Sequence, residues 1–442
     1  MMTNNFARAT AKLGVIACLA GSAASSHADP VLVLFVGNSY TFGRVDPVLT
    51  YNAANVRDLT RPQGPLNGGR DPALPFTTGA PFTNLTGTNS YPAGTVINGV
   101  VQTSYSPHFA SAGSAGAWGG VPGIFKALTD QAGLNYEVSL STRNAATLRG
   151  HFLNTANSNW NLQGNLRLEA WDKVVLQEQS DEPLSPRTVA GVSLGSNFLS
   201  FRTYADFIED YVKRGTALSF RESDLGIGSS STTTRNIVAN PNANPNAQVY
   251  LQQTWARPNL INAPGSATID PATGNATYSG PPPTSFFSGL EEMTTELRTN
   301  YALAAQFAGQ DGSGGFAGIA PVGDAFLRAV QTGVATRNMY SIDALTDGLI
   351  DLWFNDGTHA SVYGSYLSAL TLFGTLTGLD PAMFGESERA ARDLGISTLD
   401  ALALQRVASD QWRASQVPVP STIVLLGFTA LVLMQAKRKS QS

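Results

Sequence analysis

Six consecutive apolar residues, Val31-Leu32-Val33-Leu34-Phe35-Val36, closed by Gly37, constrain this chain more than any other stretch. A short, β-branched run of this kind predicts a strand buried on both faces of a parallel sheet. Ligands of open α/β sheets bind just beyond the carboxyl ends of such strands. The turn Gly37-Asn38-Ser39 follows directly. It therefore offers one hydroxyl, with the backbone N–H groups beside it, to the crevice where chemistry would occur.

The rest of the chain alternates between the two periodicities. Strands are predicted at Tyr136–Leu140, Trp171–Leu176, Gln248–Trp255 and Ala317–Val322. Helical stripes fall at Val121–Leu128, near Leu148–Leu153, and at Phe198–Lys213, Leu290–Phe307 and Asp324–Val334, with a short helix opened by Asp46-Pro47 and running to Tyr51. This alternation predicts an α/β protein of three layers, α/β/α, with a flavodoxin-like parallel sheet of about five strands. Long loop insertions interrupt it, at about 57–120, 224–247 and 262–285, all rich in Gly, Pro, Asn, Ser or Thr.

Both ends look separate from the fold. Arg8 and Lys12, then Leu13 to Ala20, then Ser26-His27-Ala28 follow the order of a secretory signal, so residues 1–28 are expected to be removed. The only cysteine, Cys18, would leave with it, which excludes disulfides and a thiol nucleophile from the body. At the far end Val417-Pro418-Val419-Pro420-Ser421-Thr422 precedes an apolar stretch, Ile423 to Met434, and then Lys437-Arg438-Lys439. That stretch is short of the ~20 residues that span a bilayer comfortably. The order resembles a PEP-CTERM sorting tail, with Val419 where glutamate is usual. The resemblance implies an exosortase-like processing enzyme as partner, transient membrane association through residues 417–442, and export to the periplasm, outer surface or matrix of a Gram-negative bacterium. Without its ends the body, residues 29–416, carries 23 basic against 32 acidic side chains. Nucleic acid is an unsuitable partner for a chain of that sign, since phosphate binding needs clustered cations.

A second motif, Asn355-Asp356-Gly357-Thr358-His359, stands just before Ser361, a predicted N-cap for a helix with Tyr363, Tyr366, Leu367, Leu370 and Phe373 on its apolar face. Three residues apart in a turn, the Asp356 carboxylate can hold one imidazole nitrogen of His359 while the other faces the crevice. A serine hydroxyl needs such a base and orienter to be nucleophilic at neutral pH. Either motif alone is commonly an ordinary turn. His151, at the start of a helix, reads first as structural and second as a pocket residue.

Taken together, Gly37-Asn38-Ser39 after the first strand, Asp356-x-x-His359 before what reads as the last helix, Pro321-Val322-Gly323-Asp324-Ala325-Phe326 and Gly364-Ser365-Tyr366-Leu367-Ser368-Ala369 make the body similar to SGNH (GDSL-type) hydrolases. The resemblance implies an ester-cleaving α/β/α enzyme without metal or other cofactor, with Ser39 as nucleophile, His359 as base and acid, and Asp356 as its orienter. It also implies an oxyanion hole from the Ser39 N–H, a second-block N–H and a third-block amide. Glycine is usual in the second block, where this chain has Ala145, in Asn144-Ala145-Ala146-Thr147. Ala145 can serve provided its φ is not positive. In the third block Gln177-Glu178-Gln179-Ser180 puts Gln179 at the usual asparagine, with Gln177 as the other choice. Asn38, Asn144, Gln177 and His151 are the remaining candidate pocket residues. The function expected is a secreted serine esterase acting on a small ester or acylated polysaccharide. The alternative is a non-catalytic surface protein that uses the same fold for glycan binding or adhesion.

Overall fold

The structure, a computed structural model, describes residues 29–45, 47–59, 96–97, 100–101, 118–154, 160–269, 276–341, 343–344 and 346–416. The expected leader and tail, and most of the 57–120 insertion, lie outside the described residues.

Six parallel strands form the central sheet: β1 (Val31–Gly37), β2 (Val56–Asp58), β3 (Tyr136–Thr142), β4 (Lys173–Gln177), β5 (Gln248–Gln252) and β6 (Gly318–Ala320). Their order is β6-β5-β4-β1-β3-β2. The apolar run lies at the centre as β1, paired on both edges, with Val33 through Val36 fully buried. Strand succession reverses between β1 and β4, which opens a crevice at their carboxyl ends. The Gly37-Asn38-Ser39 turn leaves β1 at that point.

The sixth strand is β2, which the sequence reading placed at the start of an insertion. It pairs with β3, from Val56 opposite Val138 to Asp58 opposite Leu140. Two of its three residues are charged, Arg57 and Asp58, yet both are buried, and Arg57 meets Glu169 at 2.9 Å. Charge masked the strand signal. Among the described residues the helix expected from Asp46 does not form: residues 47–52 make turns, and the helix here is α1 (Ser39–Phe42), capped by Asn38.

Helices cover both faces. On one lie α2 (Gly120–Gln131), α7 (Val362–Thr377) and α8 (Thr398–Gln416); on the other α3 (Leu148–Leu153), α4 (Phe198–Lys213) and α5 (Leu290–Ala308). Between them α6 (Val322–Gln331) touches both α5 and α7. The helix opened by Ser361 is α7, and Ser361 caps it by accepting the Gly364 N–H at 3.2 Å. It is not the last helix: α8 packs along it. The expected insertion at 262–285 contains an antiparallel hairpin, Ser266–Ile269 with Ala276–Ser279, and the one at 224–247 supplies only the second strand of another, Leu218–Arg221 with Thr234–Ile237. No helix among the described residues is long and apolar enough to cross a membrane.

Candidate active site

The end of β1 is held by a set of hydrogen bonds around Gly37 and Asn38. The Gly37 carbonyl accepts two bonds, from the Arg143 N–H at 3.0 Å and from His151 Nε2 at 2.8 Å. The Asn38 N–H donates to Gln177 Oε1 at 2.9 Å, and the Thr41 hydroxyl donates to the same oxygen at 2.9 Å. Asn38 Oδ1 caps α1 through the Tyr40 N–H, and its Nδ2 donates to the Ala146 carbonyl at 3.0 Å. Only glycine fits at position 37. A Cβ there would lie 2.2 Å from Thr41 Oγ1 and 2.5 Å from Gln177 Oε1.

Gln177 and His151 are both fully buried beneath this turn, so neither lines a pocket. The Gln177 amide donates to the Glu178 carbonyl rather than toward the crevice. Trp160 Nε1–H donates to His151 Nδ1 at 2.8 Å, which leaves the ring proton on Nε2 for Gly37. Burial, with Arg143 nearby and against the Gly37 bond, lowers the His151 pKa to about 4, so the ring is neutral. It is a strut for the serine turn.

Some 320 residues later the chain returns to the same point. His359 Nε2 lies 2.9 Å from Ser39 Oγ, and His359 Nδ1 lies 2.6 Å from Asp356 Oδ2. Asp356 Oδ1 accepts the backbone N–H groups of Thr358 and His359, each at 2.9 Å. Burial alone would raise the Asp356 carboxyl, but these bonds and the imidazole outweigh it and hold it below the usual range. An ionised carboxylate only accepts hydrogen bonds, so Nδ1 carries the proton and the Nε2 lone pair faces the serine hydroxyl. Gly357 makes the tight turn at φ 65, where a Cβ would lie 2.0 Å from the Tyr340 hydroxyl oxygen.

Three further residues, which the sequence reading did not single out, join the two loops. Tyr40 stacks on Trp255 with ring centroids 3.8 Å apart and planes within 7°. Both rings donate to one acceptor, the Thr358 carbonyl: the Tyr40 hydroxyl at 2.7 Å and Trp255 Nε1 at 3.0 Å. Thr358 immediately precedes the histidine, and Tyr40 immediately follows the serine. Adjacency to Ser39 was the one available signal for Tyr40. Trp255 lies beyond β5, past the expected strand's true end at Gln252, and nothing local marks it.

The candidate oxyanion donors are more varied. The N–H groups of Ser39 and Ala145 have no acceptor among the described residues. Residues 143–146 are held beside the serine turn at both ends, by Arg143 N–H to Gly37 and by Asn38 to Ala146. Ala145 has φ 54, so the condition set from sequence is not met and its donor comes with a left-handed backbone. Gln179 Oε1 accepts the N–H groups of Asp181 at 3.1 Å and Glu182 at 3.2 Å, while its Nε2 lies 3.4 Å from Ser180 Oγ. Its carboxamide thus shapes its own loop. Asn144 is half-buried and makes no side-chain hydrogen bond among the described residues. No group of three or more His, Cys, Asp or Glu side chains among the described residues could hold a metal ion.

No family model matches this chain, and no curated protein matches it. Solved structures align over most of its length at low similarity. A DUF4886 family protein from Bacteroides uniformis covers 86% of this chain and 94% of its own at 12% identity, with a TM-score of 0.36. A candidate SGNH hydrolase from Slackia heliotrinireducens covers 79% of this chain and 100% of its own at 17% identity, with a TM-score of 0.31. Likeness at this level carries no functional information.

Proposed function

We propose that the protein is a serine esterase in which Ser39, His359 and Asp356 form the catalytic triad. One observation carries the reading: the unbroken chain from Ser39 Oγ to His359 at 2.9 Å and from His359 to Asp356 at 2.6 Å. In this reading His359 Nε2 takes the hydroxyl proton as Ser39 Oγ bonds to the ester carbonyl carbon. The resulting oxyanion is met by the N–H groups of Ser39 and Ala145. Collapse of the tetrahedral intermediate breaks the ester C–O bond, and His359 returns the proton to the leaving alcohol. Water then repeats the sequence on the acyl-serine and releases the acid. Asp356 keeps the imidazole in the tautomer each step needs.

The substrate class we propose is a short acyl ester, acetyl above all, on extracellular polysaccharide. The support is the export-like leader and tail of the sequence and the polar, Asn/Thr/Gly-rich insertions, which supply few apolar side chains for a long acyl chain. Purified protein should hydrolyse p-nitrophenyl acetate, and Ser39→Ala should lower turnover by more than about 1000-fold. Equal rates for the two would sink the triad. One observation favours the second reading, a non-catalytic glycan binder: the Gln179 carboxamide is occupied within its own loop. A fluorophosphonate probe separates the two, since labelling that requires both Ser39 and His359 excludes the binder.

A further inference from the structure

Glu178 stands between the two loops that carry the candidate oxyanion donors. It follows β4 directly and is fully buried. One carboxyl oxygen, Oε1, accepts the Leu148 N–H at 2.9 Å and the Gln179 N–H at 2.6 Å. Leu148 opens α3 just past the Ala145 turn, and Gln179 is the third-block amide. A single side chain therefore ties the second-block loop to the third-block loop. The other oxygen, Oε2, is buried with no hydrogen-bond partner among the described residues.

The electrostatic surroundings bear on its protonation. On its own loop the groups that act on it are Glu182 and Asp181, both of its own sign. From α3, Arg149 is committed to Glu222 at 2.6 Å. From the loop after β5, Arg257 is bound to Ser180 at 2.8 Å and reaches Asp181 at 3.5 Å. From α5 the Tyr301 phenol interacts with it electrostatically, and no cation bonds to it among the described residues. The two N–H bonds favour the ionised form, but burial and the neighbouring carboxylates outweigh them and favour the neutral acid.

We propose that Glu178 is a positioning residue that, as a neutral acid, holds the second- and third-block loops in register for the oxyanion. Burial first, and the Glu182 carboxylate second, push its pKa well above the usual carboxylate range. The proposal rests on the esterase reading. It implies that removing the acceptor loosens the loops and lowers kcat, whereas an uncharged acceptor of the same length keeps both. Glutamine preserves the acceptor and cannot ionise; alanine removes the tie.

The test compares wild type, Glu178→Gln and Glu178→Ala. On p-nitrophenyl acetate Glu178→Gln should keep neutral-pH kcat within about threefold. Glu178→Ala should lower kcat by about 10–100-fold with little change in KM, less than the ~100–1000-fold that deletion of an oxyanion donor costs. Infrared difference spectra at neutral pH should show a protonated carboxyl band in wild type that Glu178→Gln lacks. Amide hydrogen exchange at Leu148 and Gln179 should quicken in Glu178→Ala and stay slow in Glu178→Gln. The proposal fails if that band is missing or if glutamine impairs kcat as much as alanine. Wild type without Ser39-dependent turnover would instead sink the esterase reading, and exchange and infrared would still decide what Glu178 holds. If Glu178→Ala does not fold, the glutamine variant and the band carry the decision.

Discussion

Ala145 sits in a conformation that glycine takes freely. At φ 54 its Cβ crowds the carbonyl that follows, which costs an L-residue roughly 1–2 kcal/mol. Glycine returns part of that through the greater entropy of its unfolded chain. Ala145→Gly should therefore raise stability by about 0.5–1 kcal/mol, and Ala145→Val should lower it by about 1–2 kcal/mol. Denaturation midpoints at unchanged m-value measure both, and the reverse order would contradict the left-handed assignment. Other residues in this neighbourhood act from below. Gln177 and His151 bear on the turn that presents Ser39 without facing the crevice. Their identities alone could not show this, because an amide or imidazole beside a candidate site looks the same in sequence whichever way it points.

At the scale of elements, the decisive join is between α1 and the loop before α7. The stacked rings of Tyr40 and Trp255 meet at the Thr358 carbonyl and hold the imidazole at a fixed distance from the hydroxyl. Tyr40→Phe keeps the stack and loses one hydrogen bond. It should cost about 1 kcal/mol of stability and lower kcat about 2–10-fold with KM unchanged. Trp255→Phe loses the other bond and part of the stack between Tyr40 and Phe326, and should be worse on both counts. Loss of stability in both variants with kcat intact would make the join purely structural. Much of the architecture was legible: β1 through its unbroken apolar run, α4 and α5 through their helical stripes, and the Ser361 cap through its place before an apolar helix. The β2 strand was not, because buried Arg57 and Asp58 carry no periodic signal. Trp255 and Glu178 were equally silent, since their roles depend on partners far away in the chain. Ser39, Asp356 and His359 stood out because histidine is scarce and each motif adjoins an element that could be read.

Across the whole molecule, one buried carboxylate ties three elements beside the site. Glu222 accepts Arg149 from α3, Arg235 from its own hairpin and the Tyr204 hydroxyl from α4. Burial alone would raise its pKa, but the bonds from Arg149, Arg235 and Tyr204 outweigh burial and bring it to about 2. The folded value lies below the unfolded one, so this stabilisation is full above about pH 4.5 and is lost as pH falls toward 2. A shift of that size corresponds to about 3 kcal/mol. Glu222→Gln should be less stable at neutral pH by about that amount and show a flatter acid limb in pH-dependent denaturation; an unchanged limb would place the acid sensitivity elsewhere. The return of the chain to its starting point has a different kind of consequence. Ser39 opens α1 just after β1, and the histidine that faces it follows 320 residues later. Any chain cut short before that point holds a serine with no base. On the esterase reading proposed above, the hydroxyl stays inert until the loop before α7 has been made and packs beside it. Turnover by this protein would then report completed folding, and truncated products would be chemically silent.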